Sequence, residues 1–333
     1  APYGYSYDNI GNRKTAQEIA EELTYTANNL NQYTRIEESG ETPFVPTYDA
    51  SGNQTLIKTS TGIWTVVYNA ANRAVSFTSR DGNIVVECGY DYQGRRYMKK
   101  VTVNGTVASH ERYLYRGYLQ IAALDMLNSK NVHRTLLWDP LEPVATRPLA
   151  LVQENALYCY GMDFNKDVTE VFAGEGAVAA TYDYSPYGTV TGTGNLVQPV
   201  QWSSEMNDHE LALVYYNYRY YNPADGRWIN RDPIAEEGGW NLYGFVGSNS
   251  ILETDILGTA WSSLQTEAGA ALAARQAAEA AAKAAARAAG TAIAAERSKK
   301  NKRCAELYRE KSEAKKEARG SSCKKMIIPE CPT

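Results

Sequence analysis

The chain has 333 residues, of which 44% are hydrophobic, and a formal net charge of −4. This length and apolar content allow a buried core in two or three domains and exclude an intrinsically disordered chain. The small net charge excludes a general attraction to nucleic acid or membranes. Because no run of 18 uncharged apolar residues occurs, we expect no transmembrane segment. The chain starts without Met and without a recognisable leader, inside a patterned segment, so we expect it to be a piece of a longer protein.

Tyrosine is over-represented, with 25 copies against 5 Phe. Tyr favours half-buried pleated surfaces, where the ring packs and the hydroxyl stays in water, so this composition predicts β-sheet. No metal site and no cofactor site is expected, because the cysteines form no CxxC pair and the histidines show no ligand spacing. The sequence leaves open whether two of the last three cysteines form a disulfide. The residues concerned are Cys88, Cys159, Cys304, Cys323 and Cys331, and His110, His133 and His209.

A turn signature recurs through the first 105 residues. It consists of Tyr, then Asp, Asn or Thr, two variable residues, and Gly or Asn; the units start at Tyr7, Tyr25, Tyr48, Tyr68 and Tyr90, at spacings of 18, 23, 20 and 22 residues. Asp or Asn opens a turn by bonding its own backbone, and Gly or Asn accepts a positive φ. Short β-branched runs lie between the units, so we predict one β-hairpin per repeat, stacked edge to edge. The alternative is an ordinary antiparallel sandwich.

Residues 106–200 continue the pattern less regularly. Strands are predicted at 113–115, 136–138, 158–160 and 168–172, and a last repeat at 182–188. The proline-rich stretch 139–148 predicts a loop or an edge segment, because Pro cannot donate to a central ladder. The block that follows, 215–258, holds eight Tyr or Trp and six Gly in 44 positions, a density that predicts a closely specified local structure.

These features resemble a known family. The repeats resemble the YD repeats of Rhs proteins, the shell-forming proteins of bacterial polymorphic toxins, which are related to the C components of insecticidal toxin complexes and to teneurins. The stretch from Tyr216 through Gly226-Arg227-Trp228 and Asp232-Pro233-Ile234 to Asn241-Leu242-Tyr243 resembles the Rhs-associated core. The resemblance covers residues 1–258. It implies a mainly β fold, an antiparallel array of YD-repeat β-hairpins that forms a partial β-shell. The composition of the residues after 258 adds an Ala-rich α-helical tail.

Three parts follow from the resemblance. We assign 1–200 to the repeat array, 201–259 to the Rhs-associated core (the core block) and 260–333 to a variable α-helical C-terminal region. In Rhs cores two Asp-initiated motifs form an aspartyl protease that cuts the chain once, in cis, after the second motif. Carried over to this sequence, the catalytic pair is Asp232 and Asp255, 23 residues apart, and the cleaved bond joins Thr259 to Ala260. Two close carboxylates share one proton, so one can activate water while the other donates.

The sequence departs from the family pattern at three positions. Ala235 replaces the Gly that closes the first motif, Ile256 replaces the Pro after the second Asp, and Thr259 replaces Leu or Met. Ala restricts φ, and the missing Pro frees the turn before the cleaved bond. Two interpretations therefore stay open: self-cleavage, or two Asp residues that only initiate turns.

Three arginines flank the pair. Basic residues at strand ends are mostly solvated or paired at the surface, and we expect this of Arg219. Arg231 adjoins Asp232 and is expected to support that carboxylate by pairing with it. Arg227 has no assigned role.

The last part of the chain differs in composition. Of the 36 residues 260–295, 19 are Ala, which predicts one long helix or two helices broken near Gly290. Residues 297–325 carry twelve Lys or Arg against four Glu, at helical spacing and with a single Tyr. We expect a solvated helix, with binding of nucleic acid or an anionic membrane as the weaker alternative.

The expected function is delivery and encapsulation, in which a β-repeat shell encloses its own C-terminal segment as cargo. The resemblance implies a secreted or cell-surface location, with a secretion-system component and an immunity protein as partners. The alternative is a non-cleaving structural or adhesive cell-surface repeat protein.

Overall fold

A computed structural model describes residues 3–19, 21–140, 147–259 and 261–263, together with five residues of the tail. The chain forms two compact units, Ala1–Ala271 and Leu272–Thr333. The predicted loop at 139–148 lies partly outside the described residues, and Pro148 occupies the first position of a strand, where a missing N–H is tolerated.

The first unit is built from antiparallel strands, as predicted. They are β1 Tyr3–Tyr7, β2 Arg13–Glu18, β3 Glu21–Ala27, β4 Tyr33–Glu38, β5 Thr47–Tyr48, β6 Gln54–Thr59, β7 Gly62–Tyr68, β8 Ala74–Ser79, β9 Ile84–Tyr90, β10 Arg96–Val103, β11 Thr106–Arg116, β12 Leu119–Asp125, β13 Asn131–Trp138, β14 Pro148–Gln153, β15 Ala156–Met162, β16 Val168–Ala173, β17 Val178–Tyr184, β18 Val190–Gly194, β19 Met206–Asp208, β20 Leu213–Tyr216, β21 Arg219–Asn222, β22 Arg227–Trp228, β23 Glu253–Asp255 and β24 Trp261–Ser263. Short 3-10 helices span Trp202–Ser204, Ala235–Gly238 and Val246–Ser248.

Neighbours in sequence are neighbours in the sheets. Strands β1 to β4 form a four-stranded sheet, and β5 to β18 form a 14-stranded sheet in strict chain order. Strands β19 to β22 of the core block form a further four-stranded sheet, and β23 pairs with β24. The repeat sheets are open, with β5 and β18 as the edges of the larger one. The prediction of an antiparallel hairpin array is confirmed, and it is a partial shell.

The YD signature forms the turn of each hairpin. Asp49 follows β5, and its Oδ1 atom accepts the N–H groups of Ser51 and Asn53 at 2.9 Å each. Gly52 between them has φ of +85°, which explains Gly or Asn at this position. The same side-chain-to-backbone bonds occur in the other turns that begin with Asp or Asn, at Asp8, Asn28, Asn69, Asp91 and Asp163.

The tyrosine of a repeat reaches back to the preceding repeat. Tyr68 donates its hydroxyl to the carbonyl of Gln54 at 2.9 Å, and Tyr90 donates to that of Ala74 at 2.8 Å. Each bond satisfies a partly buried hydroxyl while the ring packs on the sheet. Tyr115 and Tyr184 make the same contact with Arg96 and Val168. The repeat is therefore stabilised by its neighbour, as expected for a structure that stacks.

The core block packs against the repeat sheets through buried aromatic and charged groups. Tyr215, Tyr220 and Ile229 share a hydrophobic cluster with sheet residues such as Phe77 and Val86. A second cluster joins Tyr216, Tyr221, Trp228, Phe245 and Val246 of the block to Tyr187. The aromatic density seen in the sequence is thus the interior of the block.

A buried ion cluster ties the block to β10. Asp208 of β19 is paired with Arg96, whose Nη2 atom lies 3.1 Å from Asp208 Oδ1, and with Lys99, whose Nζ atom lies 3.0 Å from the same oxygen. All three side chains are buried. Burial opposes ionisation, but Arg96 and Lys99 hold the pKa of Asp208 well below its usual range.

The described tail residues, Lys299, Lys302, Arg303, Glu306 and Arg309, are helical. Arg303 Nη1 lies 3.6 Å from Glu306 Oε2, one turn away. The pairing of Cys304, Cys323 and Cys331 lies outside the described residues. Within the described part of the chain, no helix has the length and apolar character needed to cross a membrane.

Candidate active site

Arg219 lies between the two carboxylates of the proposed pair. Its Nη2 atom is 2.8 Å from Asp232 Oδ2 and 3.6 Å from Asp255 Oδ2. All three side chains are buried, with 2% of Arg219, 6% of Asp232 and 3% of Asp255 exposed. One guanidinium group therefore holds two carboxylates that are 23 residues apart in sequence.

The core block fixes the orientation of Arg219. The residue begins β21, opposite Tyr216 of β20. Its guanidinium carbon lies 4.1 Å from the ring centroid of Trp228, a cation–π contact inside the aromatic cluster. The Nε atom donates to the carbonyl of Gly258 at 2.6 Å. These contacts determine the direction of the fork, so the group is preorganised for two acids.

Asp255 ends β23 and organises the turn that follows it. Its Oδ1 atom accepts the N–H groups of Leu257, Gly258 and Thr259 at 3.1, 2.7 and 3.2 Å. Gly258 has φ of +76°, and a β-carbon there would lie 2.9 Å from the carbonyl oxygen of Tyr216. Only Gly fits both the backbone conformation and the space. The turn is therefore closed without the Pro that Ile256 replaces.

Asp232 opens a second turn. Its Oδ1 atom accepts the N–H of Ile234 at 3.0 Å, and its own carbonyl accepts the N–H of Ala235 at 3.1 Å. Ala235 has φ of +53°, in the left-handed region that favours Gly. The sequence departure noted above is therefore a strained backbone position, although Asp232 still reaches Arg219.

Asp232 and the carbonyl of Thr259 both lie close to Gly238. A β-carbon at position 238 would lie 2.5 Å from Asp232 Oδ2 and 2.9 Å from the Thr259 carbonyl oxygen. Both oxygens therefore border one small space beside Gly238. Thr259 carries the carbonyl of the bond expected to be cut, whereas Ala260 lies outside the described residues.

Burial dominates the electrostatics of this site. It raises the pKa of Asp255 to about 6 and raises that of Asp232 as well, and Arg219 opposes both shifts. Burial also lowers the pKa of Arg219 to about 10, against the attraction of the two carboxylates. Carboxyl groups in such surroundings can hold a proton near neutral pH, which general acid catalysis requires.

The structure corrects the expectation for Arg219. We expected a solvated or surface-paired side chain, and this was wrong: the residue is buried against the ring of Trp228. Its position in the sequence between Tyr218 and Tyr220 could have indicated burial. A cation within a buried run of aromatic residues needs acidic partners.

Arg231 and Arg227 lie elsewhere. Arg231 is exposed, and its methylene chain packs so closely on Gly52 that a β-carbon there would lie 2.4 Å from Arg231 Cδ. Arg227 Nη1 donates to the carbonyl of Asn31 at 2.9 Å, and its guanidinium lies over the ring of Tyr33. In the part of the chain that is described, no group of three or more His, Cys, Asp and Glu side chains is placed to hold a metal ion.

Comparison with known proteins identifies the architecture. The family model for the teneurin YD-shell matches residues 1–251. The chain is 26% identical over 280 residues to the tRNA3(Ser)-specific nuclease WapA of Bacillus spizizenii, which covers 80% of this chain and 11% of that protein. It is 29% identical over 177 residues to toxin subunit YenC2 of Yersinia entomophaga, covering 50% of this chain and 16% of that protein.

A solved structure shows the same fold. A Tc holotoxin pore of Photorhabdus luminescens has a TM-score of 0.54 at 19% identity, over 78% of this chain and 15% of that one. The chain thus spans a small fraction of the length of its relatives. Because the family model matches residues 1–251, well over half of the sequence, the chain belongs to the teneurin YD-shell family.

Proposed function

We propose that the core block is an aspartyl protease that acts once, in cis, on the bond between Thr259 and Ala260. The observation that carries this proposal is that Arg219 contacts both buried carboxylates, while Asp232 Oδ2 and the Thr259 carbonyl oxygen border the same small space beside Gly238. Two Asp residues that only initiated turns would not need a shared buried cation. Because burying three charged groups costs desolvation free energy, the arrangement favours a functional reason.

On this proposal the two acids have different parts. Asp232 makes the shorter contact with Arg219 and borders the Thr259 carbonyl, so it remains ionised and takes a proton from the attacking water. Asp255, with a pKa of about 6, holds a proton more readily and donates it towards the leaving amine. Water adds to the carbonyl carbon, the C–N bond breaks, and the two products carry a carboxylate and an amine.

The wider role we propose is delivery of a C-terminal toxin. The relatives include nucleases and a toxin subunit by name, and the family match ends at residue 251, before the tail. On this proposal the repeat array is part of an enclosing shell, and 260–333 is the cargo that cleavage frees. We propose further that the protein is released outside the producing cell. Other toxin subunits or a secretion apparatus would carry it, and an immunity protein would protect the producer.

Intact mass measured under denaturing conditions tests the cleavage. The wild-type chain is expected to give two fragments, ending at Thr259 and starting at Ala260, whereas Asp232→Asn and Asp255→Asn stay whole. Asp49→Asn is the matched control, because Asn28 and Asn69 already serve in equivalent turns, and this variant is expected to cut normally.

A wild-type chain that remains whole between pH 4 and pH 8, at full length and correctly folded, contradicts the protease. The chain would then be a non-cleaving structural or adhesive repeat protein.

A further inference from the structure

Two tyrosines meet where the repeat array contacts the core block. The hydroxyl oxygens of Tyr118 and Tyr218 are 2.5 Å apart. Their ring centroids are 5.7 Å apart and the planes are inclined by 43°. With the hydroxyls in contact and the centroids this close, the rings lie partly side by side. The carbons ortho to the two hydroxyls are therefore neighbours.

The pair joins distant parts of the chain. Tyr118 lies in the turn between β11 and β12, and Tyr218 lies in the turn between β20 and β21, 100 residues later. Tyr218 is held in place by the guanidinium of Arg73, which lies 4.6 Å from its ring centroid, and by its own N–H bond to the carbonyl of Leu257 at 3.0 Å. The ring of Tyr218 is thus held in place by the fold.

Access distinguishes this pair from a second hydroxyl pair. Tyr118 and Tyr218 are both partly exposed. Tyr7 and Tyr187 also bring their hydroxyls into contact, but Tyr187 is 4% exposed and donates to the carbonyl of Ser248. An oxidant in solution can therefore reach Tyr118 and Tyr218, whereas in the other pair Tyr187 is shielded by burial.

We propose that Tyr118 and Tyr218 form an oxidative cross-linking site, at which the two side chains couple to dityrosine. The co-reactant is hydrogen peroxide, used by a haem peroxidase. Each phenol loses one electron and one proton, and the two phenoxyl radicals join through a carbon–carbon bond between their ortho positions. The hydrogens on those carbons then move to the oxygens and restore both phenols. Two hydrogen atoms leave the protein, and the peroxide is reduced to two molecules of water.

Such a bond would lock the core block to the repeat array. It closes a loop of about 100 residues, and a cross-link over a loop of this length stabilises mainly by constraining the unfolded chain. Both tyrosines precede Thr259, so the bond stays within one piece whether or not the chain is cut. The proposal is therefore independent of the protease.

Peptide mapping after oxidation tests the proposal. The full chain is treated with a haem peroxidase and hydrogen peroxide at a concentration low enough to suppress contacts between molecules. We expect a loss of two hydrogens from the intact mass, dityrosine fluorescence, and a digest product that joins the peptides containing Tyr118 and Tyr218. Oxidised protein is expected to unfold at a higher temperature than untreated protein.

Three variants control for other tyrosines. Tyr118→Phe and Tyr218→Phe keep the rings, and each is expected to reduce the cross-linked product at least tenfold and to remove the gain in Tm. Tyr92→Phe, at a side chain that is 93% exposed, is expected to change neither. The proposal is overturned if no intramolecular product forms, if the product joins Tyr7 to Tyr187 instead, or if it persists in Tyr118→Phe.

Discussion

Gly238 lies directly against Asp232: a β-carbon at position 238 would lie 2.5 Å from the Oδ2 atom of that carboxylate. The same β-carbon would lie 2.9 Å from the carbonyl oxygen of Thr259. The absence of a side chain at one position is therefore what allows an acid and the proposed cleaved bond to share a space.

Gly238→Ala is expected to reduce self-cleavage at least tenfold, because the methyl group separates Asp232 from the Thr259 carbonyl. The backbone of Gly238 has an ordinary φ, so strain does not complicate the result. Fragment formation over time is measured by denaturing electrophoresis. Gly174→Ala, whose added carbon would make an ordinary 3.6 Å contact, should cut at the wild-type rate. Equal rates in both variants would show that Gly238 does not position the reacting groups.

The pH dependence of cleavage follows from the two raised pKa values. The pKa of Asp255 is about 6, so its acid form accumulates as the pH falls through 6, and cleavage is expected to accelerate over this range. At lower pH Asp232 also takes up a proton, its function as a base is lost, and the rate falls again. The first-order rate constant from pH 4 to pH 8 checks this. A flat profile would contradict the two assigned roles.

Arg219→Lys tests the cation between the acids. A lysine ammonium cannot span both carboxylates and the Gly258 carbonyl with a fixed fork, so cleavage is expected to fall more than tenfold. Because each carboxylate loses part of its stabilising contact, the whole pH–rate profile is also expected to move to higher pH. Arg231→Lys, at an exposed arginine, serves as the control. A slower rate with an unmoved profile would indicate only a structural role for Arg219.

Ala235→Gly is expected to stabilise the fold. The left-handed conformation costs a residue with a β-carbon roughly 1–2 kcal/mol, whereas Gly loses about 0.4–1 kcal/mol through the entropy of the unfolded chain. The net gain is therefore between about 0 and 1.6 kcal/mol in the free energy of unfolding, measured with urea. Ala71→Gly, at a turn position with an ordinary φ, should instead destabilise. A loss of stability in both variants would argue against strain at Ala235.

Asp208→Asn is expected to destabilise the attachment of the core block to β10. Removing this charge leaves Arg96 buried without its acid, a change that costs about 3–5 kcal/mol at comparable sites, whereas Lys99 keeps Glu210 at 2.6 Å. Since the folded-state pKa of Asp208 is lowered, its contribution is present above the unfolded value of about 3.9 and is lost as the pH falls below it. The free energy of unfolding, measured by urea titration, should therefore fall more between pH 7 and pH 3 in the wild type than in Asp208→Asn.

Asp183→Asn, at an exposed position of β17, is the control for that measurement. It is expected to change the free energy of unfolding by no more than about 0.5 kcal/mol. A similar small effect at Asp208 would mean that the cluster is not what holds the block to the sheet.

The local structure of the repeats is determined by the sequence alone. The bonds that define a YD turn join atoms at most four residues apart, as at Asp49 and Asn53, so residue type at fixed spacing is sufficient to specify them. Strand positions follow for the same reason, because a hairpin turn sets the register of both of its strands. The acidic motifs at Asp232 and Asp255 were assigned through the resemblance to the Rhs-associated core, and each of them also opens a local turn.

The tertiary structure decided which groups meet. Arg219 is 13 residues before Asp232 and 36 before Asp255, and Arg96 is 112 residues from Asp208. These pairings depend on how the core block folds back on itself and on the sheet. Local propensity carries no information about such distances, because the chain between the partners can close in many ways. A buried cation such as Arg219 requires an acidic partner, but only the packing of the aromatic cluster determines which carboxylates lie next to it.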